Sequence, residues 1–337
     1  MILSIESSCD DSSVAVTQIA TKKILFYRKI SQESEHAKYG GVVPELASRL
    51  HAVTLPKILE EAKEYFDSLK AIAVTNEPGL GVTLMEGVAM AKSLASMLEL
   101  KLIAVNHLKA HIYSLFIEKE SFFPFLALLV SGGHTMILRV ESYEKIAILT
   151  TTMDDSIGES YDKCAKMMEL GYPGGPIIEA LAIEGDRDRF DFPIPLINSP
   201  LIAFSLSGLK NAVRLQIEAL GGTSNLTIQD KKDIAASFQK TIIAHLIHKS
   251  KKIFEHEHIK DFAIVGGVAA NKSISNAFEI LCKKHKKILH KVALQYCSDN
   301  AAMVGRYALD AYAKKDFCEI SDIESIVSKK DKNRKLL

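Results

Sequence analysis

The stretch FLALLVSGGHTMILRV, residues 125–140, decides the fold. An apolar run, a tight Ser-Gly-Gly turn and a second apolar run read as two strands joined by a hairpin. The same layout stands near the start of the chain, in ILSIESSCDDSSVAVTQI (2–19), where the polar turn SSCDDS separates two apolar runs. Further strands and helices follow in both cases. A strand–turn–strand opening used twice predicts a duplicated α/β architecture, each half opening on a hairpin whose turn points toward a shared cleft. The two stretches share little identity, so layout carries the reading.

Between the hairpins, LFYRKIS (25–31) reads as a third strand. A helix starts near Pro44, with Leu46, Leu50, Val53 and Ile58 recurring at helical spacing. AIAVTNEPG (71–79) is a buried strand ending in a turn, MEGVAMAKSLASMLEL (85–100) a helix rich in small residues, and KLIAV (101–105) another strand. Asn106 is placed to cap the helix that follows. Beyond the second hairpin, DFAIVGGVAANKSISNAFEIL (261–281) is strand, Gly-Gly turn and a helix capped near Asn271. Such a turn exposes backbone and offers helix N–H groups to an anion.

The chain has 337 residues, 47% hydrophobic and 25% charged, with a net charge of +1. That length accommodates two domains, and that balance gives no global basic field toward nucleic acid. Basic character is local, in CKKHKKILHK (282–291) and the tail SKKDKNRKLL (328–337), where a solvated helix face or a frayed end is the ordinary reading. The five cysteines show no C-x-x-C pair, which fits a reducing compartment. No basic region precedes the first apolar residues, so no signal peptide is expected. The longest apolar run is too short to span a bilayer. These features together predict a soluble, cytoplasmic protein without a membrane partner.

Chemistry enters at VNHLKAHIYS (105–114). His107 and His111, at i and i+4, share one helix face, a spacing that chelates Zn²⁺ or Fe²⁺ and also arises by chance. Leu108, Lys109 and Ala110 lie between them, so the glutamate base of an H-E-x-x-H protease is missing. Asp299, in QYCSDNAAMVG, reads either as a helix N-cap or as a third, oxygen ligand that leaves positions open for substrate. Ser131 and His134 suit turn chemistry as well as a site. The Gly-rich segments at 131–133, 172–176 and 265–271 recur at strand or helix ends, which favours close approach by a ligand. Asp154, Asp155, Glu159 and Asp162 either complement a helix start or meet ribose hydroxyls. No G-x-x-x-x-G-K-[ST] occurs, against a P-loop NTPase. Asp10 and Asp11 suit turn positions or a Mg²⁺-phosphate role.

These residues together match a known family. The chain resembles TsaD, the bacterial tRNA N6-adenosine threonylcarbamoyltransferases, formerly the O-sialoglycoprotein endopeptidase family. The resemblance runs nearly end to end, through LSIESSCDDSSVAV, YGGVVPELASRLH, PGLGVTLMEGVAMAKSLA, NHLKAH, LLVSGGHT, DDSIGESYDKCAKMMELGYPGGP, FSLSGLKNAV, VGGVAANKSI and CSDNAAMVG. It implies an α/β fold of two actin-like (ASKHA, ribonuclease H-like) domains around a nucleotide cleft. The N-terminal domain is expected over 1–108 and about 303–328, the C-terminal domain over 109–302, and a basic tail over 329–337. By position the resemblance makes His107, His111 and Asp299 metal ligands, and Leu129, Val130, Ser131, Gly132 and Gly133 a substrate-binding turn. It makes Asp162, Gly175, Glu179 and Asn271 further substrate contacts. Bacterial relatives usually carry Asp at the position of Glu179, and archaeal and eukaryotic relatives carry a Tyr ligand at that of Leu129.

The implied reaction moves a threonylcarbamoyl group from threonylcarbamoyl-AMP to N6 of the adenosine 3′ of the anticodon, in tRNAs reading ANN codons, releasing AMP. One divalent metal per subunit is implied, Fe²⁺ ahead of Zn²⁺, with Mg²⁺ and ATP as a further expectation. No catalytic residue is assigned beyond the metal site. The implied partners are tRNA, a TsaB-like paralogue forming a heterodimer through the N-terminal half, and a TsaE-like ATPase. An actin-fold small-molecule kinase and a metalloprotease are the competing readings.

Overall fold

A computed structural model describes residues 1–325. The first elements are β1 (Ile2–Glu6), β2 (Asp11–Thr17), β3 (Ile24–Ser31), α1 (Glu33–Ala37) and α2 (Pro44–Glu61). They are followed by β4 (Ala71–Glu77), α3 (Gly81–Met97), β5 (Lys101–Asn106) and α4 (His107–Tyr113). Next come β6 (Phe125–Val130), β7 (Thr135–Val140), β8 (Ile146–Thr151), α5 (Ile157–Met167), α6 (Gly174–Glu184), α7 (Ser207–Ala219) and α8 (Ile228–His256). The last are β9 (Asp261–Val265), α9 (Lys272–Lys284), β10 (Ile288–Lys291) and α10 (Ala301–Lys314).

The chain divides into two compact units, Met1–Phe122 with the segment from Ser298 onward, and Phe123–Cys297. In the first, a five-stranded sheet runs β3-β2-β1-β4-β5; in the second, the order is β10-β9-β6-β7-β8. β1 pairs antiparallel with β2 and parallel with β4, and β6 likewise pairs with β7 and β9. Each sheet therefore opens on an antiparallel hairpin and closes on parallel strands reached through helices. The duplicated layout expected from the two hairpins is present, strand for strand.

Burial explains the apolar runs. β1 and β6 are central strands, and every residue in both is buried, as expected where helices cover both faces. Leu3, Ile5, Val14, Val16, Ile72 and Val74 form the first core with Leu55 and Ile58 of α2. Leu126, Leu128 and Ile264 form the second core with Phe238 and Ile242 of α8. The 29-residue α8 starts on a full capping box, Thr227 and Asp230 satisfying each other's backbone N–H.

Three expectations change. Helical spacing predicts Leu46, Leu50, Val53 and Ile58 as the α2 stripe, but the buried face is Ala47, His51, Leu55, Ile58 and Leu59, with Val53 exposed. His51 belongs inside because both ring nitrogens are engaged: Ser12 Oγ lies 2.7 Å from Nδ1 and the Cys9 carbonyl 2.9 Å from Nε2. α3 begins at Gly81, four residues before its expected start at 85. The division between units falls after Phe122 and Cys297, where 108/109 and 302/303 were expected. Arg306 accounts for the first shift. It is 2% exposed, donates from Nε to the Phe116 carbonyl (2.7 Å), and reaches Asp310 and Ser121, so residues 114–122 are tied to α10. The basic tail at 329–337 lies outside the described residues.

Candidate metal centre and glycine turns

The candidate metal residues all belong to the first unit. α4 is short, and its start is fixed by Asn106, whose side chain accepts from the N–H groups of Leu108 and Lys109 (2.9 and 3.2 Å). His107 therefore occupies the first helical position and His111 lies one turn on, with ring centroids 4.6 Å apart at 80°. Asp299 stands just before α10. It does not cap that helix: Asn300 does, accepting from Met303 N. This leaves the Asp299 carboxylate free, and its Oδ1 lies 3.5 Å from His107 Nε2 and 3.0 Å from His111 Nε2. Lys29 holds the backbone there, donating to Asp11 (2.7 Å), Ser298 Oγ (2.8 Å) and the Asp299 carbonyl (3.3 Å).

These residues fit a divalent cation. One ligand atom from each of the three lies within 4.8 Å of the others. Donors about 2.1 Å from a shared ion stand roughly 3.0–3.4 Å apart, close to the distances observed. His111 is fully buried, yet neither ring nitrogen makes a hydrogen bond, so its 3.0 Å approach to Asp299 lacks hydrogen-bond geometry. Two atoms both aimed at a third body adopt that arrangement. Electrostatics agree. Burial opposes a charged His107, but Asp299 and Glu6 outweigh it and hold its pKa at about 10. Burial and the neighbouring His107 push His111 down, toward its neutral form. Burial also opposes ionisation of Asp299, and His107 outweighs this, holding the carboxyl well below its ordinary range. The two carboxylates thus flank one imidazolium, Glu6 on the Nδ1 side and Asp299 on the Nε2 side, and a divalent cation would displace the Nε2 proton.

The remaining residues belong to the second unit. Leu129 and Val130 end β6 with fully buried side chains, so only their backbone is available. Ser131 and His134 close the turn on each other, Ser131 N donating to the His134 carbonyl (2.9 Å) and His134 N to Ser131 Oγ (3.2 Å). From below, Gly158 of α5 packs against it: a Cβ there would stand 2.6 Å from the Ser131 carbonyl. A Cβ on Gly266 (φ +94°) would likewise run into the Val130 carbonyl. The outward-facing glycines behave oppositely. A Cβ on Gly132, Gly133, Gly175 or Gly267 would meet nothing within 4 Å. Gly158 and Gly266 thus pack against the backbone of residues 130–132, while Gly132 and Gly133 of the same turn stand in open space, which makes the turn a backbone cradle.

The polar candidates bind the cradle together. Asp162 on α5 accepts from Gly174 N at the start of α6 (2.7 Å), and Glu179 on α6 accepts from Lys272 N at the start of α9 (2.7 Å). Asn271 caps α9 through Ile274 N (2.9 Å) and donates to Gln239 Oε1 (3.0 Å). Gln239, from α8, carried no sequence signal because it lies in an ordinary amphipathic run. Asp154 and Asp155 are spent elsewhere: the first on Ser205, Leu206 N and Ser207, the second on Lys163 and Lys210. Sequence reasoning also passed over Glu6 and Lys29.

Two sheets of this order and pairing define the actin-like (ASKHA) class, and solved structures agree at the level of fold. HypF from T. kodakarensis matches 96% of this chain and 49% of its own, with TM-score 0.63 and 14% identity. The activator of the 2-hydroxyisocaproyl-CoA dehydratase from Clostridium difficile, solved with bound ADPNP, matches 97% of this chain and 99% of its own, with TM-score 0.54 and 14% identity. The chain spans about half the length of the HypF chain. Within this class, the family model TsaD, tRNA N6-adenosine threonylcarbamoyltransferase, matches residues 23–306. A protein of that name from a Sulfurovum species is 65% identical over 337 residues, covering 100% of both chains. Another, from Sulfurimonas denitrificans, is 58% identical over 324 residues, covering 96% of this chain and 98% of its own. The Helicobacter pylori protein is 54% identical over 324 residues, covering 94% and 95%. The chain belongs to the TsaD family of tRNA N6-adenosine threonylcarbamoyltransferases, and it is a transferase.

Proposed function

We propose that this chain transfers the threonylcarbamoyl group of threonylcarbamoyl-AMP to N6 of the adenosine 3′ of the anticodon, in tRNAs reading ANN codons. One divalent cation is held on His107, His111 and Asp299. The observation that carries the reading is the convergence of three ligand atoms, one on a buried histidine with no other partner, in a chain of this family. The N6–carbamoyl bond forms, the carbamoyl–oxygen bond to phosphate breaks, the amine loses a proton, and AMP leaves with the bonding pair. When bound, the cation supplies Lewis-acid stabilisation of donor oxygens. Two imidazoles and a carboxylate suit Fe²⁺, with Zn²⁺ the alternative.

The chain's own residues bind and orient. Within the 131–133 turn, Gly132 and Gly133 offer backbone N–H groups without side chains in the way, fixing charge that develops on the donor. Gly175 leaves room for the nucleoside, while Asp162, Glu179 and Asn271 set the helix starts that surround it. The target adenosine lies in a single-stranded loop, so exposing it costs a few kcal/mol. Positioning then does most of the work, since an exocyclic amine is a weak nucleophile.

No helix among the described residues is long and apolar enough to cross a membrane, and a cytoplasmic site of action follows from a tRNA substrate. A TsaB-like paralogue would dock on the first unit, where Val53, Val82 and Met85 of α2 and α3 are exposed. A TsaE-like ATPase and Mg²⁺ with ATP complete the expected system. The family, with no glutamate between the histidines, favours this reading over a kinase or a metalloprotease. The test supplies labelled threonylcarbamoyl-AMP, unmodified tRNA and the partner proteins. Label in tRNA with AMP release is expected; ATP turnover on a small hydroxyl substrate, with no label in tRNA, would favour the kinase instead.

A further inference from the structure

Glu6 ends β1 with its side chain fully buried. Its oxygens are each committed. Oε1 accepts from Ser8 N (2.7 Å); Oε2 accepts from Thr75 Oγ1 (2.5 Å) and lies 3.3 Å from His107 Nδ1. Ser8 Oγ lies 3.1 Å from the same nitrogen. A buried carboxylate needs an opposite charge, and among the described residues His107 is the one paired with it. Neither Ser8 nor Thr75 supplies that charge, so satisfying the strand end does not explain a carboxylate here.

We propose that Glu6 is a positioning residue for the cation: it fixes the proton of His107 on Nδ1 and so aims the Nε2 lone pair at the ion, adding negative charge behind the ligand. The inference rests on the metal reading above. A carboxylate accepts but cannot donate, so with Glu6 on one side the Nδ1 proton is retained and Nε2 is the ligand atom. Nε2 is indeed the atom on the Asp299 side. The device is one-sided, since His111 Nδ1 has no hydrogen-bond partner. His107 is therefore the oriented ligand and His111 the one placed by helix geometry alone. Carboxylate partners of this kind raise ligand basicity, and their loss costs about 10–100-fold in metal affinity.

The test measures Zn²⁺ affinity by competition with a chromophoric chelator and the ligand-field spectrum of bound Co²⁺, in the full chain. Wild type is compared with Glu6→Gln, Thr75→Val and His107→Ala. Glu6→Gln keeps size but removes charge; Thr75→Val keeps the charge but loosens its hold. The expected results are about 10–100-fold weaker Zn²⁺ binding and an altered Co²⁺ spectrum for Glu6→Gln. Thr75→Val should show a smaller loss in the same direction, and AMP binding should be unchanged in both. Zn²⁺ affinity within twofold of wild type in Glu6→Gln would overturn the proposal. Should that variant not fold, the same result in Thr75→Val would overturn it. If His107→Ala binds Zn²⁺ as wild type does, the metal reading itself fails, and the role of Glu6 falls with it.

Discussion

Gly132 and Gly158 are near neighbours with opposite tolerance of a side chain. Gly158→Ala would drive a methyl into the Ser131 carbonyl and the Gly132 backbone, and should cost about 1–3 kcal/mol by chemical denaturation. Gly132→Ala meets open space, so stability should stay within about 0.5 kcal/mol while calorimetric AMP affinity falls. Equal AMP affinity in Gly132→Ala and wild type would remove the turn from the site. At the metal centre, Asp299→Asn keeps the shape but not the charge. Bound metal after dialysis should drop, and transfer should fall by roughly 100-fold or more. The histidine pair was legible because its spacing is a property of the helix alone. Asp299 reads from sequence as either cap or ligand; the adjacent Asn300 takes the cap, and the Asp299 carboxylate faces the two histidines instead. Glu6 could not be read: in ILSIE it is one polar residue at a strand end, and its meaning depends on Thr75 and His107, far along the chain.

Helix α8 carries a pH dependence of its own. His245 is fully buried, takes a hydrogen bond at Nε2 from Ser205 N (3.3 Å) and packs edge-on to Phe204. Burial, reinforced by Lys249, lowers its pKa to about 4 from an ordinary value near 6.5. The folded state therefore stays neutral where the unfolded chain takes up a proton. Stability from this group is full above about pH 6.5 and is lost as pH falls toward 4, by about 3 kcal/mol at most, with no further loss below. Denaturation of His245→Gln at about pH 4.5 and about pH 7 should show a smaller difference than wild type; an identical difference would place the acid sensitivity elsewhere. Elements differ in how well sequence reveals them. Both hairpins and the caps at Asn106 and Asn271 were visible because turn and capping chemistry are local. The α2 stripe slipped because Leu46 and Leu50 are only half-buried while a histidine takes the inner position, satisfied by partners from the 9–12 turn.

The whole chain is two similar units built differently from sequence: one continuous, Phe123–Cys297, and one closed by a return of the chain at Ser298. The continuous unit holds its own core and every glycine turn named above. Expressed alone, it should unfold cooperatively and retain AMP binding; a molten product would show that its core needs the rest of the chain. The expected boundary missed the return of residues 114–122 to α10 because one buried arginine, Arg306, decides it. The placement matters for the proposed function, since it puts His107, His111 and Asp299 in one unit. The central claim is that a cation on those residues drives threonylcarbamoyl transfer. Its most direct test strips the protein of metal, adds back Fe²⁺ or Zn²⁺ stepwise, and measures single-turnover labelling of tRNA beside His107→Ala. Labelling should be lost on stripping and restored at about one equivalent per chain, with no restoration in the variant. Full labelling by the stripped protein, or restoration in His107→Ala, would contradict the account.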